Sequence, residues 1–347
     1  MKILYEDVTI EILTRLPVKS LIRFKCICKF WCTLMNSPSF ISRHLKNYND
    51  ENARLFVEYN TFGFEGQRFA LFSDETLTDL SSYKVFEPQI SKDHDDWTPF
   101  TCGPYKGLFC IYTSSCIDLW NPATRELRPL PKCNIELIDI FEIGIQEVVW
   151  NVGIGFELDP VSNDYKMVFI FELYDLSSRY RRLDVTMGVD TYINGVCYWL
   201  THPCNDQQEV ILSFHMRDEV VEEMKVPFPH NNENYRPHIA RVYKESLHLI
   251  TENRFSGCYH IWLMKQQSCW TKLAIVGPFL NVYRTLRLWK NRSVFMETRR
   301  SHDVMLCDLN TQELSYIGFD ERFRSWKWLY CYEESVLSIK WQGSQLY

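Results

Sequence analysis

Residues 15–26 run Arg15-Leu16-Pro17-Val18-Lys19-Ser20-Leu21-Ile22-Arg23-Phe24-Lys25-Cys26, and one proline in this stretch separates two helical patterns. Upstream of it, Val8, Ile12 and Leu16 recur at positions i, i+4 and i+8. This spacing places them on one stripe of an amphipathic helix. Pro17 cannot continue a helix interior, so the first helix is predicted to end there.

Three further helical segments follow within the first 46 residues. The apolar pattern predicts helices over Lys19–Cys26 and Lys29–Met35, and Ser37-Pro38 is typical of an N-cap followed by a first-turn proline. A block this small buries too little surface to be robust alone. Because it carries large apolar residues on more than one face, we expect it to dock on the rest of the chain or on another protein.

These motifs resemble the plant F-box, chiefly in Leu4-Tyr5-Glu6-Asp7-Val8, in the run 15–26 and in Ser37-Pro38-Ser39-Phe40. The sequence departs from the family at Tyr5, where a proline is usual. The resemblance implies that residues 1–46 dock on the SKP-type adaptor of an SCF ubiquitin ligase, which a cullin joins through the adaptor. By position it assigns the following adaptor-facing residues: Leu4, Val8, Ile12, Leu16, Pro17, Leu21, Ile22, Cys26 and Trp31. The alternative for each of them is packing inside the helical block.

Short β-branched and aromatic runs replace the helical periodicity after residue 50. Similar runs contain Leu108, Ile154, Val196, Leu247, Val294 and Val336, and the steps between them are 46, 42, 51, 47 and 42 residues. Such a period with three or four strands in each unit is typical of a β-propeller. We therefore expect an α+β multidomain chain: a small all-α domain, then an all-β propeller of about six blades over residues 50–347. A large β-sandwich is the alternative, and residues 336–347 are expected to close the ring by pairing near residues 55–90.

This second part resembles the F-box-associated, kelch-like domain of plant F-box proteins. The most specific stretch is Trp120-Asn121-Pro122-Ala123-Thr124-Arg125-Glu126-Leu127-Arg128-Pro129-Leu130-Pro131. Residues 260–264 and 268–272 also resemble the S-locus F-box group. Members of that group act in pollen self-incompatibility and direct pistil ribonucleases, which are basic proteins, to ubiquitination. The resemblance therefore implies a substrate receptor, and an F-box scaffold that sequesters its partner outside the ligase is the alternative.

Composition and charge narrow the possible partners. The 347 residues are 46% hydrophobic and 24% charged, with a net charge of −6. Residues 1–46 hold eight basic and three acidic residues, which leaves 30 basic and 41 acidic residues in the remainder. An excess of 11 negative charges disfavours nucleic acid and favours a basic protein partner. No apolar run approaches a membrane span and the N-terminus lacks a signal-peptide pattern, so we expect a cytoplasmic or nuclear protein whose 13 cysteines are mainly buried thiols.

Motifs that carry chemistry are missing from the sequence. It contains no phosphate-binding G-x-x-x-x-G-K-[ST], no G-x-S-x-G, no H-E-x-x-H and no C-x-x-C. Cys28 and Cys32 share a helical spacing but lack a second pair of metal ligands. We therefore expect no enzyme activity, cofactor or metal, and the alternative is a propeller enzyme with a polar cluster at its centre.

Two long loops are candidates for substrate binding because they combine acidic residues with tryptophan. They span residues 87–100 and 133–150. Acidic side chains attract a basic surface over distance, and tryptophan supplies contact area. The residues predicted to bind substrate are Asp93, Asp95, Asp96, Trp97, Glu136, Asp139 and Glu142.

Overall fold

A computed structural model describes the chain over the following residues: 2–47, 53–60, 67–72, 77, 82–88, 100–112, 116–130, 147–158, 165–174, 184–185, 192–193, 195–202, 210–227, 235–243, 246–266, 268–290, 292–301, 303–319 and 326–339. The chain divides into two compact units. One comprises residues 1–132 and 319–347, and the other comprises residues 133–318. No helix among the described residues has both the length and the apolar character that a membrane crossing requires.

Four helices form the N-terminal block, as predicted. They are α1 Lys2–Leu13, α2 Val18–Lys25, α3 Lys29–Met35 and α4 Pro38–Asn47. The first helix stops at Leu13, before the predicted end at Pro17, because backbone bonds from Arg15 to Ile12 and from Leu16 to Leu13 tighten the chain into a turn. Ser37 accepts a bond from the backbone N–H of Phe40 at 3.3 Å, which confirms the predicted cap of the fourth helix.

The helices share one small core with the C-terminal segment of the chain. Leu13, Val18, Leu21, Met35, Phe40 and Val336 are each at most 3% exposed and pack together. Because Val336 completes this core, the helical block docks on its own chain. This outcome matches one of the two expectations for so small a block.

The remaining described chain consists of β-strands. The first seven are β1 Arg54–Asn60, β2 Gln67–Phe72, β3 Tyr83–Phe86, β4 Phe100–Tyr105, β5 Leu108–Tyr112, β6 Ile117–Asn121 and β7 Glu126–Pro129. The next seven are β8 Glu147–Leu158, β9 Tyr165–Tyr174, β10 Asp184–Val185, β11 Tyr192–Ile193, β12 Val196–His202, β13 Val210–His215 and β14 Val220–Lys225. The last nine are β15 Tyr235–Tyr243, β16 Ser246–Asn253, β17 Cys258–Gln266, β18 Cys269–Val276, β19 Val282–Trp289, β20 Ser293–Thr298, β21 Val304–Asp308, β22 Leu314–Ile317 and β23 Trp326–Tyr332.

These strands form antiparallel sheets of the kind that make propeller blades. Within the described residues, five sheets have four or five strands and a sixth has two. The sheet orders are β23-β1-β2-β3, β4-β5-β6-β7, β8-β9, β10-β12-β13-β14 with β11 on β12, β15-β16-β17-β18 and β19-β20-β21-β22. A helical domain followed by a β-propeller of about six blades is therefore confirmed.

The strand that brings the C-terminus back to the first sheet differs from the prediction. β23 pairs with β1, with Phe56 opposite Tyr330 and Leu55 opposite Cys331. The segment after it, residues 333–339, forms no strand, and residues 340–347 lie outside the described residues. The predicted closing segment 336–347 was therefore placed too late in the sequence, because the apolar run around Val336 packs against the helices instead.

Each unit has its own apolar core. In the first unit, Phe56 has ring neighbours at centroid distances of 5.4 Å to Phe69, 5.1 Å to Phe109 and 5.0 Å to Tyr332. In the second unit, Ile250, Ile261, Val294 and their neighbours form one cluster. The strands at the centre of these cores are buried on both faces, since β5 and β20 each have at least four consecutive buried residues, and both faces of a strand therefore contribute to the packing.

Candidate functional site

Among the side chains of the helical block that the structure describes, four large apolar ones remain in solvent. Val8 and Ile12 lie one turn apart on α1 and are 52% and 58% exposed. Ile27, in the turn after α2, and Phe30, on α3, are 62% and 57% exposed. This exposure contrasts with the other apolar residues of the block, which are buried in its core. The four residues, two on α1 and two between the α2–α3 turn and the start of α3, are together called the apolar surface below.

The structure sorts the residues predicted to face an adaptor into several groups. Leu21 is fully buried, so its assignment to a docking surface is corrected: it belongs to the core, because α2 turns this side chain toward Met35 and Phe40. Leu16, Ile22 and Trp31 are partly buried and pack against that core. The others divide as follows: Val8, Ile12, Pro17 and Cys26 are exposed, and the side chain of Leu4 lies outside the described residues.

Ile27 and Phe30 belong to the apolar surface but were missing from the predicted set. Ile27 lies two residues after α2 ends at Lys25, and Phe30 lies three residues further on. A large apolar residue in a turn between two helices is a signal of exposure, because the turn carries it beyond the buried face of either helix. Trp31 instead packs edge-on against Phe24, with ring centroids 5.4 Å apart.

The fourth helix holds the end of α1 in place. The Nε2 of His44 lies 3.1 Å from the carbonyl oxygen of Leu16, and the side-chain amide of Asn47 donates to the hydroxyl of Thr14 at 2.9 Å. Burial lowers the pKa of His44, opposed by its contact with the Leu16 carbonyl. A neutral imidazole is the form that such a site favours, so these bonds position Leu16 and Pro17 without placing a charge in the core.

A polar junction joins the helices to the β-sheet of the same unit. Lys25 donates from Nζ to the side-chain oxygen of Asn36 at 2.7 Å and to the carbonyl oxygen of Val336 at 3.1 Å. Burial lowers the pKa of Lys25, and the carboxylate of Glu126 opposes that effect. The carboxylate of Glu126 also accepts bonds from Ser338 and from the backbone N–H of Ile339.

Asn121, at the end of β6, holds the other side of this junction. Its amide donates to the carbonyl oxygens of Ser335 at 3.1 Å and Leu337 at 2.7 Å. Its side-chain oxygen accepts from the backbone N–H groups of Ala123 at 3.0 Å and Thr124 at 3.3 Å. The Asn-Pro-Ala-Thr motif therefore makes the turn that its residues favour and also clamps the C-terminal segment.

All residues predicted to bind substrate lie outside the described residues: Asp93, Asp95, Asp96, Trp97, Glu136, Asp139 and Glu142. Their role stays a prediction. In the part of the chain that the structure does describe, no cluster of three or more His, Cys, Asp or Glu side chains could hold a metal ion. The described cysteines are all free thiols, and they include buried Cys102 and Cys110 as well as exposed Cys26 and Cys28.

Comparison with protein families accounts for both parts of the chain. The model of the F-box domain matches residues 2–43, and the model of the F-box associated β-propeller domain matches residues 66–339. The chain belongs to the F-box proteins with an associated β-propeller. The F-box match covers all four residues of the apolar surface, and the propeller match covers the Asn121 clamp.

Curated relatives agree with this membership. A protein of Arabidopsis thaliana named for its F-box is 23% identical over 363 residues, which cover 92% of this chain and 86% of the relative. An F-box/kelch-repeat protein of the same plant is 32% identical over 172 residues, which cover 47% of this chain and 38% of the relative. Among solved structures, a chain of a nidogen/laminin complex has a TM-score of 0.41 and 11% identity, over 80% of this chain and 96% of that chain.

Family membership sets the general role of each part. F-box proteins with kelch-type domains are substrate adaptors rather than enzymes, and both domain matches place this chain in that family. The F-box implies binding to a SKP-type adaptor, and the propeller implies binding to a substrate.

Proposed function

We propose that this F-box protein is the substrate-recognition subunit of an SCF-type ubiquitin ligase that marks a protein for proteasomal degradation. In this proposal its F-box binds a SKP-type adaptor, the adaptor brings a cullin, and the propeller holds the substrate. The observation that carries the proposal is the exposed apolar surface on a domain whose core is already filled. Burying a large apolar side chain contributes about 1.5–3 kcal/mol, so four half-exposed ones supply several kcal/mol of binding energy.

Such a receptor needs no catalytic residue of its own. Holding a substrate beside the ubiquitin-transferring subunits raises its effective concentration, and this proximity alone accelerates the transfer. The Lys25 and Asn121 bonds support the proposal because they fix the helices to the β-sheet of the same unit. Free thiols at every described cysteine are consistent with the cytosol or nucleus as the place of action.

The test is co-purification of the full chain with a SKP-type adaptor, followed by a measured affinity. Ile12→Asp places a carboxylate on the apolar surface, and we expect at least about tenfold weaker binding, because burying an unpaired charge costs several kcal/mol. Ile12 is 58% exposed before binding, so the fold tolerates the change. Leu16→Asp is less informative, since Leu16 also packs against the core of the F-box.

Val221→Asp is the matched control, because Val221 is 59% exposed on β14, far along the chain from the F-box. It should bind the adaptor as the unchanged protein does. If Ile12→Asp also retains full affinity, the apolar surface is not the docking site and the proposal loses its support.

The charge of the chain favours a basic substrate, as in the S-locus F-box group, whose targets are pistil ribonucleases in pollen self-incompatibility. The residues after 46 carry an excess of 11 acidic residues, which attracts a positively charged protein at long range. Binding of a basic ribonuclease to the full chain, measured at low and high salt, tests this role. A basic ribonuclease that shows no binding at low salt would exclude it.

A further inference from the structure

Two large apolar side chains of the second unit stand almost fully in solvent. Phe255 is 89% exposed and Leu280 is 88% exposed, and Tyr283 nearby in sequence is 55% exposed. Isolated apolar residues on a surface are ordinary, but several that converge mark an interaction site. The local geometry decides between these two possibilities.

The segments that carry these residues meet at one end of two neighbouring sheets. Phe255 lies in the turn between β16 and β17, and Leu280 lies in the connection from β18 to β19. The backbone N–H of Phe279 donates to the carbonyl oxygen of Gly257 at 2.9 Å. A Cβ atom placed on Gly257 would lie 3.8 Å from a methyl group of Leu280. The Phe255 turn and the Leu280 segment therefore form one continuous patch.

Local hydrogen bonds and packing hold the patch in a fixed shape. The side-chain oxygen of Asn253 accepts from the backbone N–H groups of Phe255 and Ser256, both at 3.1 Å. Phe279 turns inward and stacks on buried Tyr259 with ring centroids 6.5 Å apart, so its neighbour Leu280 points outward. A pre-formed surface loses little conformational entropy when a partner binds.

Arginine side chains flank the apolar patch. Arg254 precedes Phe255, and Arg299 and Arg300 lie in the turn between β20 and β21; all three are exposed. Arg299 fastens this turn to the Leu280 segment, since its backbone N–H donates to Asn281 at 2.9 Å and its Nε donates to the carbonyl oxygen of Val282 at 2.8 Å.

The carboxylates near the patch are engaged locally. Glu252 is 13% exposed and lies 3.9 Å from Arg299, and Asp303 accepts bonds from Ser301 and Tyr316. Arg254 and Arg300 have no ion-pair partner among the residues that the structure describes. The three arginines and these two carboxylates together leave the patch with one excess positive charge, although the chain as a whole is negative.

We propose that Phe255, Leu280 and Tyr283, flanked by Arg254 and Arg300, form a docking surface for an acidic segment of a partner protein that presents apolar side chains between its carboxylates. This set is called the Phe255 surface. The proposal rests on the proposed function in one respect: the partner is the substrate. The Phe255 surface is positive although the net charge of the chain is negative. Both hold together because salt screens charges that lie further than about 8–10 Å from a bound partner, so the nearby arginines decide the local sign.

The test uses the full chain and two synthetic peptides in a fluorescence-anisotropy titration. One peptide alternates Asp and Glu with Leu and Phe, and the other has Lys in place of every acidic residue. The unchanged protein should bind the acidic peptide in preference, and more weakly as salt rises. The double variant Phe255→Ala, Leu280→Ala should bind it about tenfold more weakly, since the two truncations remove most of the apolar area that the peptide would bury.

Charge variants separate the electrostatic part from the apolar part. Arg254→Glu with Arg300→Glu should remove the preference for the acidic peptide and shift it toward the lysine peptide. Arg217→Glu and Val221→Ala are matched controls, because both residues are exposed on β14 or its preceding turn, and neither should change the affinity. Unfolding midpoints of all variants, measured alongside, should agree because each altered side chain is in solvent.

Equal binding of the two peptides by the unchanged protein would overturn the proposal, and so would an unchanged affinity in the Phe255→Ala, Leu280→Ala variant. Adaptor binding measured on the same samples keeps the two proposals apart. If the adaptor fails to bind while the peptide preference holds, the ligase role fails and the Phe255 surface stands. If the adaptor binds and no peptide preference exists, only the Phe255 surface fails.

Discussion

The ammonium group of Lys25 donates a hydrogen bond to the carbonyl oxygen of Val336 at 3.1 Å, although the two residues are 311 positions apart. Lys25 ends α2 of the F-box, and Val336 lies just after the last strand and completes the F-box core. The C-terminal segment thus contacts two parts of the chain: it packs against the helices, and it is hydrogen-bonded to Asn121 and Glu126. A substrate receptor benefits from such a connection, because proximity accelerates a reaction only if the reacting groups are held in fixed positions, and this bond fixes the F-box to the C-terminal segment.

Lys25→Met should loosen this junction while keeping the packing of the side-chain stem. The variant removes the donor to Asn36 and Val336, and we expect a loss of about 1–3 kcal/mol in the free energy of unfolding. Hydrogen exchange of residues 335–339, followed by mass spectrometry, should become several-fold faster. Lys19→Met, at an exposed position of the same helix, is the control and should leave that exchange unchanged.

Asn121→Asp tests the clamp from the side of the sheet. The new carboxylate would keep the acceptor for Ala123 and Thr124 but would face the carbonyl oxygens of Ser335 and Leu337 without a proton to donate. Asn121 is fully buried, so we expect a loss of about 2–4 kcal/mol, measured by chemical unfolding with tryptophan fluorescence.

The matched control for Asn121→Asp is the reverse change at Asp308, which ends β21 as Asn121 ends β6. Asp308 accepts bonds from the backbone N–H groups of Asn310 and Thr311 and clamps nothing distant. Its replacement by Asn keeps an acceptor oxygen and should cost much less. Equal losses in the two variants would mean that the long-range bonds of Asn121 contribute nothing.

Much of the fold could be predicted from the sequence because local patterns determine it. The four helices follow from apolar spacing, Pro17 and the Ser37 cap, and the blades follow from a repeat of 42–51 residues. The closing strand was misplaced because the apolar runs around Leu329 and Val336 look alike in sequence. Only tertiary packing decides which of the two pairs with β1 and which packs against the F-box.

The proposed binding surfaces were harder to predict than the fold. The F-box motif contains both core and exposed residues, so a motif match cannot separate buried Leu21 from exposed Ile12. Phe255 and Leu280 carry no motif at all, since their exposure results from turns that form only when neighbouring strands pair. Burial is a property of the packed chain, and a single sequence gives it only where one periodic pattern dominates.

Gly107→Ala should destabilise the first unit strongly. Gly107 has a φ of +76°, and a Cβ there would lie 2.6 Å from the carbonyl oxygen of Glu333 and 2.6 Å from the Cβ of Ser335. Backbone strain and this clash together should cost about 2–4 kcal/mol, measured by chemical unfolding. Gly195→Ala is the control: its φ is +90°, but the nearest atom would lie 4.0 Å away, so about 1 kcal/mol is expected. Similar losses at both positions would show that the contact with the C-terminal segment is unimportant.

Glu333 should make the protein less stable as pH rises, which is the opposite of the effect of a carboxyl whose pKa is lowered by folding. Burial raises its pKa from 4.5 to about 7, so the folded chain binds this proton more tightly than the unfolded chain. The free energy of unfolding should therefore fall as pH rises from about 4.5 to above 7, by about 2–3 kcal/mol for this group. Chemical unfolding at pH 6 and pH 8.5 should show a smaller decrease for Glu333→Gln than for the unchanged protein, because a neutral amide does not titrate. Parallel pH profiles for the two proteins would contradict this assignment and point to another group whose pKa burial raises, such as Cys307, as the source of the decrease.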